Sequence, residues 1–104
     1  MIYYVDIDET ICFHNDSDTS KAREYSKAKP HLARIELINA LFGLGHEVVY
    51  WTARGSVTGI DWYDLTKRQL DEWGAKHTDL KMGKPHFDIF IDDKAFNSDA
   101  YFGS

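Results

Sequence analysis

Cysteine is almost missing from this chain. Cys12 is the only one, so no internal disulfide can form and the fold has to rest on packing. That usage fits a reducing cytoplasm, which is the compartment expected. Proline is nearly as scarce, with Pro30 and Pro85 alone, and no proline-rich linker divides the sequence. No apolar run approaches 18 residues, and no basic stretch followed by an apolar one opens the chain. Neither a membrane span nor a signal peptide is expected. Basic side chains are in the minority, 12 against 17 acidic ones, for a net charge of -5. Such a surface repels phosphate backbones, so nucleic acid and anionic membranes are not expected partners. A small anionic substrate is a separate matter, because one cation in a cleft reverses the local field.

What the sequence does contain is enough for one core. Its 104 residues are 43% hydrophobic and 14% aromatic, and they read as a single globular domain over 1–104. Met1–Val5 is a short apolar run that leads straight into acid and reads as a buried strand. The polar stretch Asp8–Ala28 reads as a long loop, a flap over whatever site the fold builds, with a short helix or hairpin inside it. Pro30 is expected to open a helix carrying Leu32, Ile35, Ile38 and Leu41 at helical spacing, with Gly43 and Gly45 ending it. Glu47–Trp51 reads as a second strand. Arg54–Ile60 is a loop. Asp61–Trp73 reads as a helix with Asp61 as N-cap and Gly74 as stop. A third strand is expected near His77–Leu80, a turn at Gly83-Lys84-Pro85, and a fourth strand at Phe87–Ile91, again ending in acid at Asp92-Asp93. The tail from Lys94 on is weakly patterned.

Strands alternating with helices imply an α/β fold of Rossmann-like, three-layer build, a mostly parallel sheet covered on both faces. In such sheets ligands sit beyond the carboxyl ends of the strands. Three polar clusters fall there: Asp6/Asp8, Thr52/Arg54 and Asp92/Asp93. Four carboxylates in one cleft raise each other's pKa, and a hard divalent cation relieves the conflict. Oxygen-only ligands favour magnesium, with Asp6, Asp8, Asp92 and Asp93 as candidates. Aspartate is a known covalent acceptor of phosphoryl groups, so Asp6 can attack phosphorus while Asp8 moves protons. Thr10 with nearby backbone N–H groups, Thr52 and Arg54 are candidate holders of phosphoryl oxygens. Lys84, with Lys81 as competitor, would neutralise the phosphoryl charge. His14 lies in the flap, within reach of substrate. His31, His46, His77 and His86 lack metal-ligand spacing.

In order, these residues resemble the four motifs of the haloacid dehalogenase superfamily: Asp6-Ile7-Asp8-Glu9-Thr10 the first, Thr52 the second, Lys84 the third, Asp92-Asp93 the fourth. The resemblance implies magnesium dependence and an aspartyl-phosphate intermediate. It also implies metal ligation by the Asp6 carboxylate, the Asp8 main-chain carbonyl and an acid of the last pair, Asp93 ahead of Asp92. Glu9 departs from the glycine that many members carry. About forty residues separate the first two motifs, which leaves no room for a cap domain. A capless site would be closed by the 8–28 flap, by a neighbouring subunit in a homo-oligomer, or by the substrate itself. The run Tyr50–Ser56 and the ending Gly83-Lys84-Pro85…Ile91-Asp92-Asp93-Lys94 resemble small bacterial phosphatases of capsule and surface-sugar synthesis. The implied substrate is a small phosphorylated sugar or related metabolite. Two other readings are a non-catalytic, magnesium-binding phospho-acceptor of the receiver kind and a polynucleotide 3′-phosphatase. Asp8 argues against the first and the acidic balance against the second.

Overall fold

The computed structural model describes residues 1–14 and 24–103. Three strands form a parallel sheet: β1 (Ile2–Val5), then β4 (Glu47–Trp51), then β5 (Asp79–Lys81), in the spatial order β1-β4-β5. Register is fixed by pairs such as Val5 with Tyr50 and Tyr50 with Leu80. Two short strands, β2 (Cys12–Phe13) and β3 (Lys29–Pro30), make a separate antiparallel pair. The helices are α1 (Leu32–Gly43), α2 (Tyr63–Glu72) and α3 (Ser98–Phe102). No helix among the described residues is long and apolar enough to cross a membrane.

β4 is the central strand, and its three middle residues Val48, Val49 and Tyr50 are all buried, as a strand flanked on both sides should be. α1 forms where the helical spacing predicts, but not from Pro30. That proline lies in β3 opposite Cys12, and His31 caps the helix by accepting the Arg34 N–H at Nδ1, 3.3 Å away. The helix ends as expected, with Gly45 at φ 94°, a left-handed conformation that costs glycine little. Leu32, expected on the inner face, is exposed, and Arg34 joins Ile35 and Ile38 inside instead. α2 starts at Tyr63, and Asp61 accepts the Tyr63 N–H at 2.9 Å from just outside the helix.

Two expectations need correction. Among the described residues, helices cover the sheet on one face rather than two. Ile35 and Ile38 of α1 and Leu70 of α2 pack in one cluster with Val5, Val48, Tyr50 and Leu80. By strand alternation, Ile2, Tyr4, Val49 and Trp51 point to the opposite face, where Ile2 and Tyr4 are exposed. The chain therefore builds two layers, because both long helices serve the same side. Second, Phe87–Ile91 is not a strand. It runs as an arm without regular structure, and every residue from Pro85 to Asn97 is exposed. The weakly patterned tail instead holds α3. Part of the flap expected over 8–28 falls on residues 15–23, outside the described residues; at its ends lie β2 and a 3-10 turn at Tyr25–Lys27.

Candidate active site

The strand β1 stops at Val5 and the chain curls. Ile7 turns fully into the core, which contributes about 1.5–3 kcal/mol, while its neighbours Asp6 and Asp8 stay only partly buried. The curl is tight. The Ile7 carbonyl accepts the N–H groups of Thr10, Ile11 and Cys12 at 3.1, 2.9 and 3.3 Å, and the Cys12 carbonyl accepts that of Glu9 at 2.8 Å. Glu9 makes the turn at φ 62°, the left-handed region where glycine is at ease. Within this turn the N–H groups from Glu9 to Cys12 are thus engaged with backbone carbonyls.

Asp6 opens onto a shallow cleft of about 130 Å³, lined also by Ala53, Lys84, Pro85, His86 and Phe87. The space is that of roughly four waters. Lys84, not Lys81, faces the acid. Its Nζ is 3.5 Å from Asp6 Oδ1, while Lys81 Nζ donates to the Tyr4 hydroxyl at 3.3 Å. The Lys84 backbone is pinned from two sides. Its N–H donates to the Thr52 carbonyl at 3.0 Å, and its carbonyl accepts the Ser56 hydroxyl at 2.7 Å. Burial raises the Asp6 pKa above the ordinary carboxylate value, and Lys84 acts against that rise.

Asp8 is held quite differently. Arg54 grips its carboxylate with two parallel hydrogen bonds, Nε to Oδ2 at 3.0 Å and Nη2 to Oδ1 at 2.9 Å, and His14 Nε2 lies 2.7 Å from Oδ1. Burial alone would raise the Asp8 pKa. The hydrogen bonds and charge of Arg54, joined by His14, more than offset this and hold the carboxyl below its ordinary value. Arg54 itself is 2% exposed. Its Nη1 donates to Thr66 Oγ1 at 3.0 Å and Gln69 Oε1 at 2.6 Å, and its guanidinium lies 4.6 Å from the Tyr25 ring centre. The expectation that Arg54 holds phosphate is therefore corrected: its donors are directed at Asp8 and at α2. Thr52 is buried as well, and its hydroxyl accepts the Arg54 N–H at 3.1 Å. Gly55 completes this loop at φ 82°, and a Cβ there would strike the Ile60 carbonyl oxygen.

Asp92 and Asp93 sit on the exposed arm, where the Asp93 N–H donates to Asp92 Oδ1 at 2.8 Å. They do not join Asp6 and Asp8. Residues that the sequence reading missed hold the site instead. Thr66 and Gln69, three apart, are polar side chains buried on α2 beside Leu70, and that pairing was the available signal. Arg34 is a third, donating to the Thr10 carbonyl at 3.1 Å and to Asp99 at 2.8 Å, with the Phe102 ring 4.8 Å away, so that it ties α3 to the turn.

Within one chain the expected magnesium ligands are not all brought together. The Asp6 carboxylate is accessible, but the acid pair expected to join it and the Asp8 main-chain carbonyl is elsewhere, on the exposed arm. Asp8, Cys12 and His14 do bring ligand atoms within 4.8 Å of one another. That mixed oxygen, sulfur and nitrogen set suits a softer ion than magnesium. It is also crowded by Arg54, whose Nη2 is 3.9 Å from Cys12 Sγ, while burial raises the thiol pKa.

No protein-family model matches the chain, and none of the curated proteins does. A crystal structure of a Vibrio cholerae structural-genomics target is similar, with a TM-score of 0.79, 25% sequence identity, and coverage of 96% of this chain and 85% of that one. The fold is a small α/β fold with a parallel three-stranded sheet, compatible with a Rossmann-like architecture.

Proposed function

We propose that the chain is a phosphomonoester hydrolase of the capless haloacid dehalogenase type, acting through an aspartyl phosphate on Asp6. One observation carries this reading: an accessible Asp6 at the carboxyl end of a parallel strand, 3.5 Å from Lys84, with Asp8 clasped two residues on. The Asp6 carboxylate attacks phosphorus, the bond to the alcohol oxygen breaks, and its electrons leave with that oxygen, which takes up the proton carried by Asp8. Lys84 neutralises charge on the phosphoryl group. Water then attacks the phosphorus of the aspartyl phosphate and gives its proton to Asp8, which releases phosphate and restores Asp6. The lowered pKa of Asp8 favours the ionised form that this second, base-assisted step needs. The Thr10 hydroxyl is the remaining candidate contact to the phosphoryl group at the turn, and Thr52 supports the Arg54 loop.

Magnesium remains part of the proposal for the charge it would neutralise when bound. A single chain offers too few oxygens for it, so the steps above use side chains alone. The small open cleft suits a compact substrate, for which we propose a phosphorylated sugar or related metabolite of surface-polysaccharide synthesis. The deciding experiment uses an aryl phosphate with magnesium. Asp6→Asn should lower turnover by roughly 10³-fold or more with the circular dichroism spectrum unchanged. Retained turnover would refute Asp6 as nucleophile. Stable phosphorylation of the wild-type Asp6 without turnover would favour the phospho-acceptor reading instead.

A further inference from the structure

The arm that carries Asp92 and Asp93 is apolar where it should not be. Phe87, Ile89, Phe90 and Ile91 are 39, 78, 48 and 93% exposed. By alternation Phe87, Ile89 and Ile91 share one face and Phe90, with Asp88, the other, the pattern of a strand buried on one face and partly on the second. Meanwhile β1 pairs with β4 alone among the described residues, so its outer edge presents unpaired backbone groups, and Ile2 and Tyr4 lie bare beside it. Edge and arm complement each other.

They cannot meet within one chain in the way the site requires. To bring Asp92 or Asp93 level with Asp6, the arm must run parallel to β1, with Phe87 near the level of Met1. Lys84 is fixed at the opposite end of the sheet by its bonds to Thr52 and Asp6. From there Phe87 would have to lie about two strand spacings sideways and about five residues down, close to 19 Å away. Three Cα steps reach at most about 11 Å. Five residues separate β5 from Phe87, well short of the dozen or so that a parallel crossover takes.

We infer that the arm serves a second copy of this chain: Phe87–Ile91 of each protomer adds as a parallel strand to the outer edge of β1 of the other, and delivers Asp92 and Asp93 beside the partner's Asp6. The exchange is reciprocal and closes as a two-fold dimer. The area agrees. The chain exposes 7050 Å², roughly 1000 Å² more than the about 6000 Å² expected of a compact 12.0 kDa monomer, and a stable interface takes about 800 Å² from each partner. The bare face with Ile2, Tyr4 and Trp51 adjoins the edge that would be filled. The acids then complete the oxygen set that one chain lacks. This last point rests on the proposed phosphatase reading; the strand exchange does not.

Two measurements test the inference separately. Light scattering should give a dimer for the wild type and a monomer for the double variant Ile89→Lys/Ile91→Lys. Hydrogen exchange should show β1 amides protected in the first and released in the second. A monomeric wild type at tens of micromolar, or a double variant that stays dimeric, overturns the exchange, whether or not the protein hydrolyses phosphate esters. Next, Asp6→Asn and Asp93→Asn chains, each inactive alone, are unfolded together and refolded as an equal mixture. Half of the dimers are then mixed and carry one intact site of two, so about one quarter of wild-type activity should return. No recovery from a mixture that has formed mixed dimers overturns delivery of Asp93 between copies. A wild type that is dimeric yet inactive on every phosphate ester refutes the phosphatase reading and leaves the exchange standing on the first measurement.

Discussion

Asp6 and Asp8 stand two residues apart, and their carboxyl groups titrate in opposite directions. For Asp8 the folded pKa lies below the ordinary 3.8, so its contribution to stability is complete above that value and is lost as the pH falls through the folded one. For Asp6 the folded pKa lies above 3.8. The folded state then holds the proton more tightly, and stability is lost as pH rises through that raised value. Thermal melts against pH should separate them. Asp8→Asn should destabilise at neutral pH, with the deficit shrinking at strongly acid pH, and Asp6→Asn should stabilise at neutral pH, with the gain vanishing in acid. A neutral-pH loss in Asp6→Asn would contradict the burial assigned to that carboxyl. Tyr50 offers a second test at this scale. Its ring is wholly buried and packs edge-on to His77, but its hydroxyl lacks a hydrogen-bond partner among the described residues. Tyr50→Phe removes that unsatisfied group and keeps the ring, so urea unfolding should show a gain of about 1 kcal/mol.

Between elements, Arg54 does most to shape the site. It joins the loop after β4 to Asp8 on one side and to Thr66 and Gln69 of α2 on the other, while Gln69 Nε2 donates to the Tyr25 carbonyl at 2.7 Å. Removing the guanidinium takes from Asp8 its two-bond partner, leaving only the contacts to His14 and Cys12, and takes from Thr66 Oγ1 and Gln69 Oε1 the donor they share. Arg54→Met should therefore cost about 3 kcal/mol in urea unfolding, and Arg54→Lys should restore little of it, because an ammonium cannot span the planar, two-bond grip. A loss below about 1 kcal/mol would mean that the clasp is not held in solution. None of this was legible in the sequence, where an arginine beyond a strand reads as a surface cation or a phosphate ligand. Runs of one residue class fared better. The strands at Met1–Val5 and Glu47–Trp51 and the helix over Leu32–Leu41 follow from local pattern, and so does the placing of Asp6 and Thr52 at strand ends. Phe87–Ile91 shows the limit of such patterns. Periodicity records that a segment wants burial on two sides, but not which strand, or whose, provides it.

At the scale of the whole molecule, that limit becomes an energetic problem with a measurable answer. Leaving Ile89 and Ile91 in water forgoes about 1.5–3 kcal/mol for each side chain, a large part of the 5–15 kcal/mol that holds an ordinary domain together. A single sheet covered on one face, with an open edge beside Ile2 and Tyr4, gives up further apolar burial. If exchange between copies supplies that burial, folding and association are one equilibrium. The thermal midpoint of the wild type must then rise with protein concentration, since mass action favours the assembled state. Scans from micromolar to hundreds of micromolar should show this rise, and Ile89→Lys/Ile91→Lys should melt lower and at a midpoint independent of concentration. A wild-type midpoint that stays fixed over that range would count against the exchange, because folding would then not be linked to association.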